Sequence, residues 1–435
     1  MMWSSRTLGD LAEFTNGLNF SEKNDGDGLK IVRVRDFGDR HFVDWNSLSE
    51  IDPEGLKISD KVFLDPDDIV IVRSNGNKDL VGRSMIYSGP PKTAAFAGFC
   101  IRARVDKRKA SPQFVHYWLR SPSTREKLSR EGGGTGIQNV SQSLLRMQTI
   151  ILPPLAEQRG IAAILGALDD KIELNRKTAA TLEAMARALY RSWFVDFDPV
   201  HAKAEGRAPA HMDAATAALF PDRFGDNGLP EGWETLPLSS VCDQAKKTIK
   251  PMEAPSDVFQ HFSLPAFDAF RMPLEEVGAS IKSNKLFVPN NSILFSRLNP
   301  IIPRVWWART TNLNAVPIAS TEFFIAKARR ETETTWLYCL LSSEEFRDDA
   351  LARVTGTSNS HQRVPPKGLG DIEITNPSME IVDVFSSLSR TWFERIHAMA
   401  NENVTLAALR DTLLPRLMSG ELRVGEACEQ VEAIA

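Results

Sequence analysis

The chain has 435 residues, 42% of them hydrophobic and 25% charged, with a formal net charge of −4. Such a composition can bury a sizeable core and gives a prior of about three domains, but it excludes a uniformly basic binder of nucleic acid or anionic membrane. The opening MMWSSRTLGD has no apolar leader and no apolar run of about 18 residues occurs, so a cytosolic chain without a membrane span is expected.

Charge is unevenly placed in the first globular stretch, 1–153. Residues 1–72 carry 8 Lys/Arg against 15 Asp/Glu, a net of −7, whereas residues 73–146 carry 14 against 4, a net of +10. An acidic half and a basic half are how one face of a domain meets phosphates. In order, the pattern predicts a short helix or turn at LGDLAEFTNGL and strands at 31–34, 62–65, 69–72, 84–88 and 96–105. One or two helices follow over 112–130, then a glycine-rich loop, a short helix and a strand up to Pro153.

Residues 154–198 read as one long helix. Alternating steps of four and three give Ile161, Leu165, Leu168, Ile172, Asn175, Ala179, Leu182, Ala186, Leu189 and Trp193, a heptad seam with one strongly polar member. About forty residues at roughly 1.5 Å each make a rod of about 60 Å that needs a partner along its seam.

The partner is predicted in the same chain. After a linker with one short helix (199–230) and a second globular stretch (231–376), residues 377–424 repeat the frame. Adding 224 gives Phe385, Ser389, Trp392, Ile396, Met399, Asn403, Leu406, Arg410, Leu413 and Leu417, where Asn403 stands one step beyond the match to Asn175. TLEAMARALYRSW at 181–193 aligns ungapped with TLAALRDTLLPRL at 405–417, which indicates duplication. Pro415 is expected to kink the second helix. Residues 425–435 form a tail.

No catalytic constellation emerges. EGGGTG at 131–136 lacks the Lys-Ser/Thr of a phosphate loop, TNPSM at 375–379 reads as a proline leading into a helix, and the seven histidines have no ligand spacing. Cys100, Cys242, Cys339 and Cys428 are scattered, which argues against structural zinc and fits a reducing compartment. The acidic turn Asp65–Asp68 precedes a buried strand and reads as solvated.

The positive signal is a matched pair of polar loops. The first globular stretch offers Arg73, Ser74, Asn75, Asn77, Lys78 and Arg83, with Thr135, Gln138 and Asn139 after the glycine run. The second offers Ser296, Arg297, Asn299 and Arg304, with Thr357, Ser358, Asn359, His361, Gln362 and Arg363. Arg and Lys pair with guanine edges or phosphates, and Asn and Gln pair with adenine, so the duplicated set points to base and phosphate contact. Taken singly, Asn and Gly also suit turn geometry.

LGDLAEFTNGL, DDIVIVRSNGN, TGIQNVSQSLLRMQTIILPPLAEQRGIAAILGALDDKIELNRK, RSWFVDFDPV, LPEGWE and LLPRLMSGEL together resemble the specificity (S) subunit of type I restriction–modification systems, over essentially the whole chain. The resemblance implies an α+β fold: two globular α/β target recognition domains separated by two long antiparallel coiled-coil helices, related by a pseudo-twofold internal repeat. It implies double-stranded DNA with a bipartite target, two methyltransferase (M) subunits and two restriction (R) subunits as partners. No cofactor and no metal are implied for this chain; S-adenosylmethionine would belong to the M subunits, ATP and Mg to the R subunits. The chain itself would have no catalytic site. The second helix departs from the family's pattern where it begins, with TNPSMEIVDVF in place of LPPLAEQRGI, so unequal contacts with the two M subunits are expected there. The alternative from another class is a coiled-coil scaffold that binds protein partners without reading DNA. A basic 73–146 block engaged with DNA would separate the two by salt-dependent retention.

Overall fold

The computed structural model describes residues 3–38, 40–131, 138–310, 312, 314–355 and 362–432. They form two compact units, one combining residues up to Arg176 with those from Ala400 onward, the other running from Lys177 to Met399. Two long helices, Leu155–Phe194 and Met379–Ser419, each contribute one half to each unit.

The first unit centres on a five-stranded sheet ordered Ala12–Asn16, Cys100–Val105, Ile69–Val72, Ser84–Tyr87, Phe42–Val43. Ile69–Val72 is buried on both faces, as its unbroken apolar run requires. A smaller sheet pairs Asp25–Val32 with Glu50–Ile51 antiparallel and with Ala94–Phe96 parallel. The second unit repeats this order: Cys242–Gln244, Phe323–Ala328, Ser292–Ser296, Val305–Ala308. Its other sheet again contains one parallel pair, Val258–Phe262 with Val316–Ala319. In each unit a first and a last strand close on one another: Ser4–Thr7 on Thr149–Leu152, and Glu234–Pro237 on Glu373–Asn376. Two mixed-sheet domains and two long helices agree with the fold expected from the sequence.

Four local expectations change. Residues 62–65 are not a strand: a 3-10 turn at Asp60–Val62 leads to one bridge, Phe63 with Ala95, and Pro66 has no N–H to extend it. The predicted strand 96–105 is two strands in different sheets, divided by a tight turn in which Cys100 N–H donates to Ala97 C=O at 2.8 Å. Residues 199–230 carry two short helices, Asp198–Ala204 and Ala214–Leu219, and bury Val200 and Phe220 in the second unit's core. The acidic turn is likewise not wholly solvated. Asp68 is buried, where both carboxylate oxygens accept from Arg104, at 2.8 and 2.7 Å.

The half-helices pair within each unit. In the first, Asp169 meets Arg410 and Asn175 meets Asn403, an order that makes the pair antiparallel, and Glu157 meets Arg423 just past the end of the second helix. Ile161, Leu165, Leu168, Ile172, Leu406, Leu413 and Leu417 are buried in one core with the globular part. Truncating a fully buried leucine such as Leu165 or Leu413 to alanine would cost about 2–5 kcal/mol. In the second unit, Phe385 packs between Tyr190, Trp193 and Phe194, with ring centroids 5.3–6.1 Å away, while Leu189, Trp392 and Ile396 are half-buried against the same core and Leu182 is half-buried. Ile164, Ile381, Val382 and Phe393 are buried beyond the seam, because each helix must also cover the sheet domain beside it. Pro415 lies on the exposed side and does not end the second helix, which runs to Ser419 before Gly420 at φ +75.

Candidate nucleic-acid interface

In each unit the chain leaves a fully buried strand and enters a polar loop, so a rigid sheet presents the loop's first residues. After Ile69–Val72, Ser74–Asn75 pairs antiparallel with Gln138–Asn139, and Val140 N–H donates to Arg73 C=O at 2.8 Å. After Ser292–Ser296, Asn299 N–H donates to Gln362 C=O at 2.9 Å and Val364 N–H to Arg297 C=O at 3.0 Å. Arg73 and Arg297, Asn75 and Asn299, Gln138 and Gln362, Asn139 and Arg363, Val140 and Val364 are all separated by 224 positions, the offset of the long helices. The fold therefore brings each unit's two predicted polar segments side by side.

Side chains in the first loop divide by role. Arg73 Nε donates to Asn139 Oδ1 at 3.4 Å, which joins the two segments through side chains. Asn75 Oδ1 accepts Asn77 N–H at 2.7 Å and Asn77 Oδ1 accepts Asp79 N–H at 3.0 Å, so both asparagines shape the turn. Arg83 Nε donates to Asp79 C=O at 3.0 Å, and Arg125 donates to Val81 and Asp79 carbonyls at 2.8 and 2.9 Å. Burial, with Arg83 and Arg120 nearby, pushes the Arg125 guanidinium down to about 10, still charged at neutral pH. Lys78 and Asn139 are exposed and Ser74 is half-buried. Thr135 lies outside the described residues.

The second loop is braced more heavily. Ser296 is buried, its hydroxyl donating to Leu298 C=O at 2.9 Å. Arg304 grips Asp268 through two bonds of 2.6 and 2.7 Å, and only 13% of its side chain is exposed. Arg363 makes a two-pronged pair with Glu322 at 3.0 and 2.9 Å, which raises its pKa. Arg297 is lowered by burial and by Arg363, against the attraction of Glu322. Asn299 adopts φ +48 at the head of the turn, and Gln362 is half-buried. Thr357, Ser358, Asn359 and His361 lie outside the described residues.

Two positions were not signalled by the polar pattern. Phe99 C=O accepts Arg73 N–H at 2.7 Å, and Glu322 C=O accepts Arg297 N–H at 2.8 Å, so Phe99 and Glu322 occupy equivalent places beside the loops. Strands 100–105 and 323–328 immediately follow them, a shared layout that marks the equivalence in sequence. Much of the basic block also works internally: Arg102 is buried, and Arg104, Arg120 and Arg125 are held by protein acceptors. No cluster of His, Cys, Asp or Glu able to hold a metal occurs among the described residues, where the four cysteines are free thiols. No described helix is long and apolar enough to cross a membrane.

Residues 2–184 match the sequence profile of the type I restriction modification DNA specificity domain. The chain is 28% identical over 371 residues to the type I restriction enzyme HindI specificity subunit of Haemophilus influenzae, covering 72% of this chain and 77% of that one. It is 25% identical over 331 residues to the MjaIX specificity subunit of Methanocaldococcus jannaschii, covering 72% and 70%. The crystal structure of a type I restriction–modification S subunit from M. genitalium shares the fold, with a TM-score of 0.52 at 15% identity over 95% of this chain and 96% of that one. With the sheet order and loop pairing repeated at one offset, the chain is thus similar over most of its length to the specificity (S) subunits of type I restriction–modification systems, and its first 184 residues carry their DNA specificity domain profile.

Proposed function

We propose that this chain is the non-catalytic DNA-reading subunit of a type I restriction–modification complex, with each globular domain reading one half of a bipartite target. The observation that carries this reading is the pair of equivalent polar loops, Arg73–Asn139 and Arg297–Arg363, each presented by a buried strand and repeated at the offset of the long helices. Ser74, Lys78, Asn139, Arg73, Arg297 and Gln362 are the side chains proposed to meet bases and phosphates. Ser296, Asn75, Asn77, Arg83, Arg304 and the Arg363–Glu322 pair hold the loops in shape.

The long helices fix the separation of the half-sites, so that binding one half raises the effective concentration of the other. Deleting one heptad would shorten the spacer by about 10 Å and change the permitted gap, whereas loop exchange would change the bases read. Two M subunits would carry S-adenosylmethionine and two R subunits ATP and Mg, leaving this chain to position them on DNA in the cytoplasm.

The test is a base-resolution map of methylated adenines in cells expressing this chain with its cognate M subunit, against M alone. A split motif with a fixed gap, present only with this chain, is expected. An assembled complex that adds no methylation would instead favour a protein scaffold.

A further inference from the structure

We infer that Phe99 is a specificity-determining residue, reading the 5-methyl group of a thymine in the half-site of the first domain. This rests on the DNA-reading function proposed above.

Phe99 is 66% exposed, more than any other large hydrophobic residue among those described. Its backbone, by contrast, is tightly fixed. Cys100 N–H closes the turn on Ala97 C=O at 2.8 Å, Gly98 N–H donates to Leu18 C=O at 2.7 Å, and Ala97 N–H donates to Val32 C=O at 2.9 Å. A Cβ at Gly17 would collide with the backbone carbonyls of Phe96 and Ala97, so glycine is required where the chain leaving strand Ala12–Asn16 passes this junction. Phe99 C=O in turn accepts from Arg73 and Ser74 N–H, at 2.7 and 3.4 Å. An apolar ring is thus held in water on a rigid turn, bonded to the loop whose Arg73 reaches Asn139.

A single exposed phenylalanine is ordinary on a protein surface. Three features set this one apart: its turn carries the chain between two sheets, it abuts the polar loop, and its counterpart has different chemistry. In the second domain the equivalent scaffold position holds Glu322, paired with Arg363 in place of Asn139. The scaffold bond from the arginine amide is kept while the projecting groups change, as expected where two domains read different bases. In the major groove the thymine methyl is the feature that an apolar side chain distinguishes. Every half-site containing a target adenine has a thymine opposite it.

The test uses the M–S complex and duplexes carrying the mapped motif, in which single thymines of the half-sites are replaced by uracil to remove only the methyl group. For the native complex, one replacement in one half-site is expected to weaken binding about fourfold, the value of one buried methyl-sized group. Phe99→Ala should weaken binding to the thymine duplex by a similar factor and be indifferent to uracil at that position, while Phe99→Leu should retain sensitivity. Uracil at other positions, including the second half-site, should affect native and variant alike, which also shows that the variant is folded. Equal affinity of native and Phe99→Ala complexes, or equal sensitivity of both to every uracil, would overturn the inference while leaving the bipartite motif intact. A native complex that yields no motif would remove the underlying function as well.

Discussion

Asp169 and Arg410 meet across the paired half-helices of the first unit, with Arg410 Nη1 donating to Asp169 Oδ1 at 2.6 Å. The other carboxylate oxygen accepts the Tyr117 hydroxyl at 2.8 Å, so one buried acid ties both long helices to the globular part. Burial works against the Asp169 carboxylate, yet His41, Arg410 and Arg120 around it hold its pKa below the usual range. Asp169→Ala should destabilise the first unit by about 3 kcal/mol, because it removes the buried partner of the Tyr117 hydroxyl and leaves the Arg410 guanidinium only the exposed Asp411. The combined Asp169→Leu/Arg410→Met change should recover most of that loss in urea unfolding. A double variant as unstable as the single one would refute a charge-stranding origin.

Asn175 sits opposite Asn403, donating to its Oδ1 at 3.0 Å and to Glu402 Oε2 at 2.9 Å. A polar pair in an apolar seam specifies alignment at a cost in stability. Asn175→Leu/Asn403→Leu should therefore raise the unfolding midpoint while broadening the distribution of gap lengths in methylation maps. A sharper or unchanged gap would show that register is set elsewhere along the helices.

Arg304 and Arg73 should separate cleanly. Arg304 is closed onto Asp268, so Arg304→Ala is expected to lower thermal stability without changing the salt slope of DNA binding. Arg73→Ala should cost about 1–3 kcal/mol of affinity and relax discrimination in one half-site only. Competition binding at several salt concentrations reads both effects, and a reduced salt slope for Arg304→Ala would make it a phosphate contact after all.

His397 gives the second unit an acid-sensitive element. Burial, with Arg309 adding repulsion, lowers its pKa to about 3, while its ring meets Trp307 edge-on at 5.3 Å. The folded state holds it neutral and the unfolded chain binds a proton near 6.5. Its contribution is thus complete above about pH 6.5 and is lost as pH falls towards 3, at about 1.4 kcal/mol per unit. His397→Gln should flatten the dependence of the tryptophan-monitored unfolding midpoint between pH 6 and about 4. An unchanged slope would assign acid sensitivity to other groups.

The long helices were legible because seam positions such as Leu165 and Leu413 need only periodicity to be recognised. The buried strand before the first loop was legible as well, because IVIV at 69–72 is an unbroken apolar run, whereas the strand order of the sheets rests on pairings that no sequence run displays. What composition could not convey was which loop side chains are already engaged. Arg304 finds Asp268 36 residues away and Arg363 finds Glu322 41 residues away, partners that only the folded sheet brings near. Phe99 was hidden for a related reason: FAGFCIRARV reads as continuous strand until the glycine junction turns the chain between two sheets and leaves the ring outside. The broader burial on the helices had the same cause, because a heptad frame describes helix-to-helix packing and not the sheet domains alongside.

Each globular domain begins and ends on neighbouring strands, Ser4–Thr7 beside Thr149–Leu152 and Glu234–Pro237 beside Glu373–Asn376. Incoming and outgoing chain therefore share one doorway, and everything between them is an interchangeable cassette. A replacement domain with the same paired strands could be spliced in without moving the spacer, so genetic exchange at these two doorways would give new target words while conserving the grammar of the gap.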